Sequence, residues 1–357
     1  MENRYDNAMR LVFRYLSDRD LKKLSSINRS WSKLIKEENL LKGPQLITGQ
    51  VIKTRNNRIT LKDNVFNFTH TKPFLILSFT NKNSKSRVIK RLHTKLRPTY
   101  CYTVMLKRDF IEDENTIWTI IIPHSSAIKL NAFSFGERFY LPGFFCIETC
   151  HFMEIDFEYF PEMRSYFDRF IDNCMTYPPD SSYTTCMIIL CVYYNISHLL
   201  HIIKHLNTWY TIGPIWGATI DSAEACNRIW NAPPNCSKTN IIQIFITSHN
   251  MSTQYLTLNE NCNTEEKIFR MLQDLRNRIL LRRHSIGFLC TPTARYKDFY
   301  EIESRVFKKV FPKIPLAHIF SNRPFGAKDL KEFYSYLIGI KPHVNNKAST
   351  LLILSYN

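Results

Sequence analysis

Residues 12–31 read VFRYLSDRDLKKLSSINRSW. Two amphipathic patterns meet at Ser17 and Asp18, either of which can cap a helix, because a side-chain oxygen satisfies amide donors that lack an intrahelical partner. Ser26 or Asn28 can cap a third helix in the same way. The apolar side chains of that helix recur every three to four residues and so share one face; they are Trp31, Leu34, Ile35, Leu40 and Leu41. We therefore predict three helices in about forty residues, a segment too short to bury a sizeable core without a partner.

This stretch resembles the F-box, a helical motif that docks on the Skp adaptor and, through it, on the cullin and RING subunits of ubiquitin ligases. The residues that carry the resemblance fit the motif without a gap: Val12, Phe13, Arg14, Tyr15, Leu16, Asp20, Leu21, Leu24, Ile27, Arg29 and Trp31. The Leu-Pro-x-Glu that usually opens the motif is absent, since Arg4, Tyr5 and Asn7 stand in its place. The resemblance implies that the adaptor contacts Val12, Phe13, Leu16, Leu21, Leu24, Ile27 and Trp31. The alternative is a three-helix cap packed on the chain's own body.

The composition is typical of a globular intracellular protein. Of 357 residues, 44% are hydrophobic and 13% aromatic, which excludes a disordered chain. The ten cysteines include no Cys-x-x-Cys pair, a pattern that suits reduced thiols in the cytoplasm or nucleus. Cys146, Cys150 and His151 come nearest to a zinc motif, but structural zinc sites take four ligands from paired knuckles, so no metal or cofactor is expected. Neither a secretory signal nor a membrane-spanning segment is expected.

The net charge of +17 introduces the alternative of a basic nucleic-acid-binding protein. Lysine and arginine exceed aspartate and glutamate slightly in residues 1–43 and strongly in residues 44–110 and 241–357, whereas residues 111–240 are acidic. Residues 82–97 form a basic run without the interleaved aromatic side chains that single-strand binders use. We predict that this run is the solvated face of a helix, and its functional alternative is a surface that attracts an acidic partner. Nucleic acid is therefore not the expected partner.

After Gly43 and Pro44, where the third helix must end, the apolar pattern changes to that of strands. Strands are predicted at residues 46–52, 58–61, 74–79, 100–106, 116–123, 138–146, 149–157, 186–194, 210–217, 241–247, 253–258, 286–290, 314–320 and 349–355. Helices are predicted at residues 84–96, 161–174, 263–279 and 298–311, with one more between the strands at 186–194 and 210–217. We expect hairpins around Asn56-Asn57 and residues 248–250, and a linker or surface loop over residues 222–240. The predicted fold class is α+β, with mixed sheets flanked by helices.

Residues 284–326 resemble the C-terminal half of a FIST domain. The residues that carry the resemblance are Ser285, Ile286, Gly287, Phe288, Arg295, Tyr296, Phe299, Tyr300, residues 307–316, Asn322 and Gly326. Weaker similarity runs back through residues 239–258, 186–221 and 116–125 in the order of that family. The FIST resemblance, together with the F-box before it, implies three domains: an F-box at residues 1–43, a FIST N-like domain at 44–225 and a FIST C-like domain at 226–357. It also implies a substrate- or ligand-binding region, with the candidates Gly213, Gly217, Cys290, Arg295, Tyr296, Asn322 and Gly326.

Together the two resemblances imply the substrate-recognition subunit of an SCF-type (Skp-cullin-F-box) E3 ubiquitin ligase, which recruits proteins for ubiquitination and proteasomal degradation. Such a subunit is not an enzyme, and no phosphate-binding, serine-hydrolase or metalloprotease motif occurs in the sequence. Cys290 ends a predicted strand near Arg295, a setting that can activate a thiol, although a buried structural thiol is the expected role. The alternative function is a FIST-type sensor of small ligands, or a scaffold, with a degenerate F-box. Glycine lets a backbone approach a small ligand closely, and this sequence has fewer glycines than that family at the corresponding segments. Protein recruitment is therefore favoured over the sensing of small ligands.

Overall fold

The computed structural model places five helices and seventeen strands within the residues that it describes. It describes residues 4–16, 21, 23–41, 43–53, 59–61, 73–81, 102–108, 116–123, 128–136, 142–145, 152–154, 183–192, 203, 212–227, 235–337 and 347–357. The helices are α1 (Arg4–Tyr15), α2 (Arg29–Leu41), α3 (Glu265–Arg278), α4 (Thr293–Val310) and α5 (Leu330–Leu337). The strands are β1 (Gln45–Lys53), β2 (Ile59–Leu61), β3 (Pro73–Asn81), β4 (Tyr102–Arg108), β5 (Thr116–Pro123), β6 (Lys129–Gly136), β7 (Pro142–Phe145), β8 (Phe152–Glu154), β9 (Thr184–Cys191), β10 (Ile215–Thr219), β11 (Ser222–Asn227), β12 (Asn235–Ser248), β13 (Met251–Leu258), β14 (His284–Pro292), β15 (Leu316–Ser321), β16 (Pro324–Ala327) and β17 (Ser349–Tyr356).

Thirteen of the described strands form one large sheet. Its order is β16-β10-β9-β12-β11-β4-β3-β5-β1-β2, with β6, β7 and β8 joined to it through β12. Strand β12 pairs with three neighbours: with β11 through residues 235–239, with β9 through residues 241–248 and with β6 through residues 239–247. Strands β9 and β10 run parallel, which requires a crossover between them. The long strand β12 is therefore the centre of this sheet.

The remaining four described strands form a second sheet in the order β13-β17-β14-β15. Strands β13 and β14 are both antiparallel to β17, and β14 is parallel to β15. Helix α3 connects β13 to β14, and α4 connects β14 to β15. One face of this sheet shares a core with the two helices, and the other shares a core with the large sheet. The described body is thus a layer of helices on a sheet that packs on a second sheet.

Strand β17 shows why the middle layer has the sequence that it has. Successive side chains of a strand point to opposite faces, so Leu351 and Ile353 join the helix-side core while Leu352 and Leu354 join the core between the sheets. Since both faces are covered, every residue of β17 is buried, and its central residues, 351–354, are all apolar. Each fully buried leucine or isoleucine contributes roughly 1.5–3 kcal/mol to stability. The apolar run at residues 351–354 correctly predicted the strand expected at residues 349–355.

The ends of the two covering helices differ slightly from the prediction. Helix α3 is capped by Thr264, whose hydroxyl oxygen accepts a hydrogen bond from the backbone N–H of Lys267 at 3.3 Å, rather than by Asn263. Helix α4 begins at Thr293, five residues before the predicted start, because the chain passes directly from β14 through Pro292 into the helix. The proline has a φ of −68°, the value its ring imposes, and it lacks only an amide that the helix does not use.

Much of the predicted order of elements is confirmed. Strands β1 and β2 pair with Val51 opposite Leu61, on either side of the predicted turn, and β7 pairs with β8. Strands β3, β5, β9, β14 and β15 lie where apolar runs predicted them. Two of the three predicted N-terminal helices are α1 and α2, and between them Leu21, Lys23 and Leu24 are helical. The predicted helices at 84–96 and 161–174 lie outside the described residues, as does the helix between β9 and β10 except for the helical, buried Ile203.

Several predicted pairings are wrong. Residues 222–240 are not a linker, because β11 and the start of β12 lie there and pair antiparallel. Residues 241–258 do not form a hairpin: β12 belongs to the large sheet and β13 pairs with β17 in the other sheet. Strands β4 and β5, which were predicted as strands, both pair with β3. Strand β6 was not predicted. The apolar pattern locates a strand, but it does not encode which distant strand will pair with it.

Candidate functional site

Two of the glycines predicted to lie near a ligand instead lie against aromatic rings of the protein. Gly217 on β10 pairs with Phe325 on β16, and a Cβ atom added to Gly217 would lie 2.2 Å from the Phe325 ring. A Cβ atom added to Gly326 would lie 2.5 Å from the Tyr255 ring. The third predicted glycine, Gly213, donates its backbone N–H to the carbonyl oxygen of Thr185 at 2.7 Å. These positions need glycine because the protein's own atoms approach the backbone closely.

A buried ion pair joins Arg295 and Glu303 on one face of α4. The Arg295 Nε atom donates to the Glu303 carboxylate at 2.8 Å, and the two side chains are almost wholly buried. The same carboxylate accepts from the Thr291 hydroxyl at 2.6 Å and from the Ser349 hydroxyl at 2.9 and 3.0 Å. Burial raises the pKa of the Glu303 carboxyl, and these hydrogen bonds act against that rise. Arg295 also donates to the carbonyl oxygen of Asn259, so the cluster ties α4 to β14, β17 and the end of β13.

His318 on β15 extends this cluster. Its Nε2 atom lies 2.7 Å from the Thr291 hydroxyl and its Nδ1 atom 2.6 Å from the Ser304 hydroxyl. Because the Thr291 hydroxyl donates to Glu303, its oxygen accepts from His318 Nε2–H, which leaves Nδ1 to accept from Ser304. Burial lowers the pKa of His318 to about 3, which keeps the ring neutral and makes it a weak base. Tyr300 covers the ring, with centroids 4.1 Å apart.

The other predicted ligand residues are not brought into this cluster. Cys290 is buried in the core between the sheets, on the face of β14 opposite Thr291. Asn322 is exposed, and its side-chain oxygen accepts from the Thr293 hydroxyl at 2.6 Å. The side chain of Tyr296 lies outside what the structure describes. The seven candidates therefore do not line one described site, and their role in binding stays a prediction.

The N-terminal helices form a small core of their own. Phe13, Leu21, Leu34 and Ile35 are buried in it, and partly buried apolar side chains pack around them: Met9, Leu16, Leu24 and Trp31. The backbone N–H of Trp31 donates to the side-chain oxygen of Asn28 at 2.7 Å, which makes Asn28 the cap of α2, as one of the two predicted alternatives has it. Arg10 on α1 pairs with Glu37 on α2. The two helices are therefore held together by apolar contacts inside and by an ion pair at the surface.

An apolar surface lies outside this core. Among the described residues, four large hydrophobic side chains are exposed, and three of them are on this module: Tyr5 at 59%, Val12 at 50% and Ile27 at 60%. Tyr5 and Val12 are two helical turns apart and so share one face of α1. Ile27 lies in the turn before α2. Exposed apolar side chains gathered on one small module are typical of a protein-binding surface.

Gly43 connects the module to the body. It is buried, and a Cβ atom added to it would lie 2.7 Å from the Nδ1 atom of His284 at the start of β14. The His284 ring in turn packs against Tyr356 on β17, with centroids 5.5 Å apart. The chain thus leaves α2 in contact with the second sheet before it enters β1 in the large sheet.

The module has the helices, the core and the exposed apolar surface of a small protein-docking unit. Residues 6–43 match the F-box domain family. F-box domains typically bind the Skp adaptor. The match therefore suggests that the chain is a substrate-recognition adaptor of an SCF-type ubiquitin ligase. A search of curated proteins finds no match to the chain.

The F-box distributes its predicted adaptor residues between surface and core. Val12 and Ile27 are exposed, as a direct adaptor contact requires. Phe13 and Leu21 are buried, so their first role is to hold the F-box together. The partly buried residues can serve both purposes; they are Leu16, Leu24 and Trp31. Tyr5, which stands where the family carries the proline of Leu-Pro-x-Glu, adds an exposed ring that the prediction of adaptor contacts did not include.

Glu303, His318 and Ser349, which the structure brings together with Arg295, were not predicted. Glu303 lies eight residues after Arg295 and so on the same face of α4, a spacing that could have identified the pair. The described residues contain no group of three or more histidine, cysteine or acidic side chains placed to hold a metal. The three residues considered for zinc, Cys146, Cys150 and His151, lie outside the described part. None of the described helices is both long and apolar enough to cross a membrane.

Proposed function

We propose that this chain is the substrate-recognition subunit of an SCF-type E3 ubiquitin ligase. Its F-box binds the Skp adaptor, and residues 44–357 recruit the proteins to be ubiquitinated and degraded. The observation that carries the proposal is the coincidence of the F-box match at residues 6–43 with the exposed apolar surface of Tyr5, Val12 and Ile27. Apolar anchors of this kind supply most of the binding energy at protein interfaces.

The subunit acts by position and performs no chemistry itself. Holding a substrate beside a charged ubiquitin conjugate raises the effective concentration of the reacting groups, while the RING and conjugating enzymes supply the reaction. The described cysteines support a non-catalytic role. Burial raises the pKa of the Cys186 and Cys191 thiols to about 12, so neither forms a thiolate near neutral pH. The free thiols also suit the reducing cytoplasm and nucleus, where we place the protein.

The region after the F-box is proposed to be FIST-like and to bind proteins rather than small ligands. The stretch at residues 284–326, which carries the resemblance, forms the continuous unit β14-α4-β15-β16. The space beside Gly217 and Gly326 is taken by the Phe325 and Tyr255 rings, which supports protein recruitment over a small-molecule pocket at these glycines.

The test is co-purification of the full chain with the Skp adaptor and cullin, beside a truncated chain that begins at Gly43. We expect the adaptor and cullin to be recovered with the full chain and lost with the truncated chain. The double variant Val12→Glu with Ile27→Glu should also lose the adaptor, because its two charges would be buried at the interface with the adaptor. A full chain that folds but recovers no adaptor would leave the F-box as a structural cap and favour the sensor or scaffold alternative.

A further inference from the structure

The end of α3 and the turn after it carry a concentration of positive charge. Residues 276–283 read RNRILLRR, with arginines at 276, 278, 282 and 283 and no acidic residue. We call these eight residues the arginine turn. Cations in the last turn of a helix complement its dipole, which accounts for Arg276 and Arg278. Arg282 and Arg283 lie beyond the end of α3, and that explanation does not reach them.

The side chains of these arginines form no ion pair with the described part of the fold. Arg276 and Arg283 are exposed and make no hydrogen bond or ion pair with any residue that the structure describes. The Nε atom of Arg282 is buried without a hydrogen-bond acceptor among the described residues. Arg278 donates only to the carbonyl oxygen of Asp274 in its own helix, at 3.2 Å. The exposed guanidinium groups of Arg276 and Arg283 are therefore available for charge-assisted hydrogen bonds to an anionic group.

Two cations elsewhere on the same helical layer have partners among the described residues. Arg305 on α4 pairs with Glu265 on α3 at 2.6 Å, and Lys309 lies over the Phe269 ring at 5.2 Å. By contrast, Arg276 and Arg283 have no such partner among the described residues, and the arginine turn gathers four arginines within eight residues.

Leu280 adds an apolar contact at the centre of the turn. It is 60% exposed and is the fourth exposed large hydrophobic side chain of the described residues, and it lies outside the F-box. Its neighbours Ile279 and Leu281 pack into the core beneath α3 and α4, so the chain directs Leu280 outward. A single exposed leucine is ordinary. A leucine between two pairs of arginines matches a ligand that offers an apolar side chain between carboxylates.

We propose that the arginine turn binds an acidic peptide segment that contains an apolar side chain, and that this segment belongs to the protein substrate. The guanidinium groups hold the carboxylates through charge-assisted hydrogen bonds, and Leu280 packs against the apolar side chain. A nucleic acid fits the turn less well, because residues 276–283 contain no aromatic side chain on which a base can stack and a leucine offers nothing to a phosphate backbone. The assignment of the occupant as a substrate rests on the proposed receptor function.

The test is a fluorescence-anisotropy titration of the full-length chain, without the adaptor, into a labelled peptide with a leucine between pairs of glutamates. We expect saturable binding. The double variant Arg276→Glu with Arg283→Glu should weaken it by about tenfold or more, since charge-assisted hydrogen bonds are lost and repulsion is introduced. Leu280→Ser should weaken it by about fivefold. Thermal unfolding should be unchanged in both variants, because the replaced side chains are exposed.

The matched control reverses the same number of charges elsewhere, with Lys328→Glu and Lys331→Glu, and should bind as the unaltered chain does. A peptide with glutamine in place of glutamate should not bind. Equal weakening by the two charge-reversal pairs would overturn the proposal, since the attraction would then come from the net charge alone. Tighter binding of a labelled single-stranded oligonucleotide, with the same dependence on Arg276 and Arg283, would overturn it in favour of nucleic acid. Because the adaptor is absent, failure here is distinct from failure of the F-box to bind the adaptor.

Discussion

Phe13 and Trp31 meet edge to face in the F-box, with ring centroids 5.6 Å apart and ring planes inclined by 71°. Edge-to-face pairs of this kind contribute about 0.5–1.5 kcal/mol beyond the burial of their surface. The pair links α1 to α2 inside a core that buries Phe13 fully. The F-box therefore has a folded core of its own, and we propose that direct contact with the adaptor is made by the side chains that lie outside this core.

The first prediction separates that surface from that core. Val12→Glu and Ile27→Glu should each reduce co-purification of the Skp adaptor while the melting curve of the chain stays unchanged, because both side chains are exposed. Leu21→Glu should also abolish co-purification, but by unfolding the F-box, since it places a charge in a closed core. Pull-down and circular dichroism on the same samples distinguish the two cases. Undiminished adaptor binding in all three variants would contradict the assignment.

The sequence predicted what is local in this protein. Apolar runs located β3, β9, β14 and β17 because strands buried on both faces carry consecutive apolar residues in their central part. The pairing of strands was harder to predict from the sequence. Strands β12 and β13 are separated by two residues, yet they belong to different sheets. Their apolar pattern is also that of a hairpin, and only the packing of distant elements decides between the two.

The candidate sites show the same division. The F-box could be recognised because its residues are contiguous and their spacing is fixed by two short helices. The cluster around Glu303 could not, because Thr291, His318 and Ser349 come from three different strands and each is unremarkable in its own segment. Arg295 was selected through a family resemblance, and the structure shows that its buried partner is Glu303.

The second prediction concerns that buried ion pair. Glu303→Ala should destabilise the chain by about 3–5 kcal/mol, because it leaves the Arg295 guanidinium buried without a counter-charge. Replacing both residues with methionine should recover much of the loss, since well-packed apolar residues can substitute for a buried pair. Urea denaturation monitored by fluorescence measures the difference. Glu265→Ala, in the exposed pair with Arg305, serves as the control and should leave the midpoint almost unchanged. An equally small effect at Glu303 would show that water reaches the cluster.

The third prediction is a dependence of stability on pH through His318. The unfolded histidine takes up a proton below a pKa of about 6.5, whereas the folded one does so only below about 3. The contribution of His318 to the free energy of unfolding is therefore complete above about pH 6.5. It is lost as the pH falls toward 3, by about 1.4 kcal/mol per pH unit. The raised pKa of Glu303 acts with the opposite sign, so the comparison must be made against the unaltered chain.

His318→Asn should flatten the fall in unfolding free energy between about pH 6.5 and 5, measured by urea titrations at several pH values. The matching change His249→Gln, at an exposed histidine, should keep the slope of the unaltered chain. A slope that survives in His318→Asn would assign the pH dependence to other groups.

The fourth prediction concerns the contact of Gly217 with Phe325. Gly217→Ala should lower stability by about 1–3 kcal/mol, because the new methyl group would lie within 2.5 Å of both the Phe325 ring and the carbonyl oxygen of Ile189. Adding Phe325→Leu should relieve part of that loss, since the smaller side chain can move away while the carbonyl cannot. A double-mutant cycle of thermal melts measures the coupling. Additive effects would show that the ring and the glycine do not interact.

Strand β12 has a consequence for how the chain unfolds. It lies after residue 225, yet it is hydrogen-bonded to β6 and β9, which lie before it. A fragment that ended at residue 225 would therefore lose the strand between β6 and β9 and expose two unpaired edges, which template aggregation. The edges of β6 and β9 that face β12 therefore stay unpaired until β12, which is synthesised after both, has been inserted between them. We therefore expect the body of this protein to lose its structure in one cooperative step.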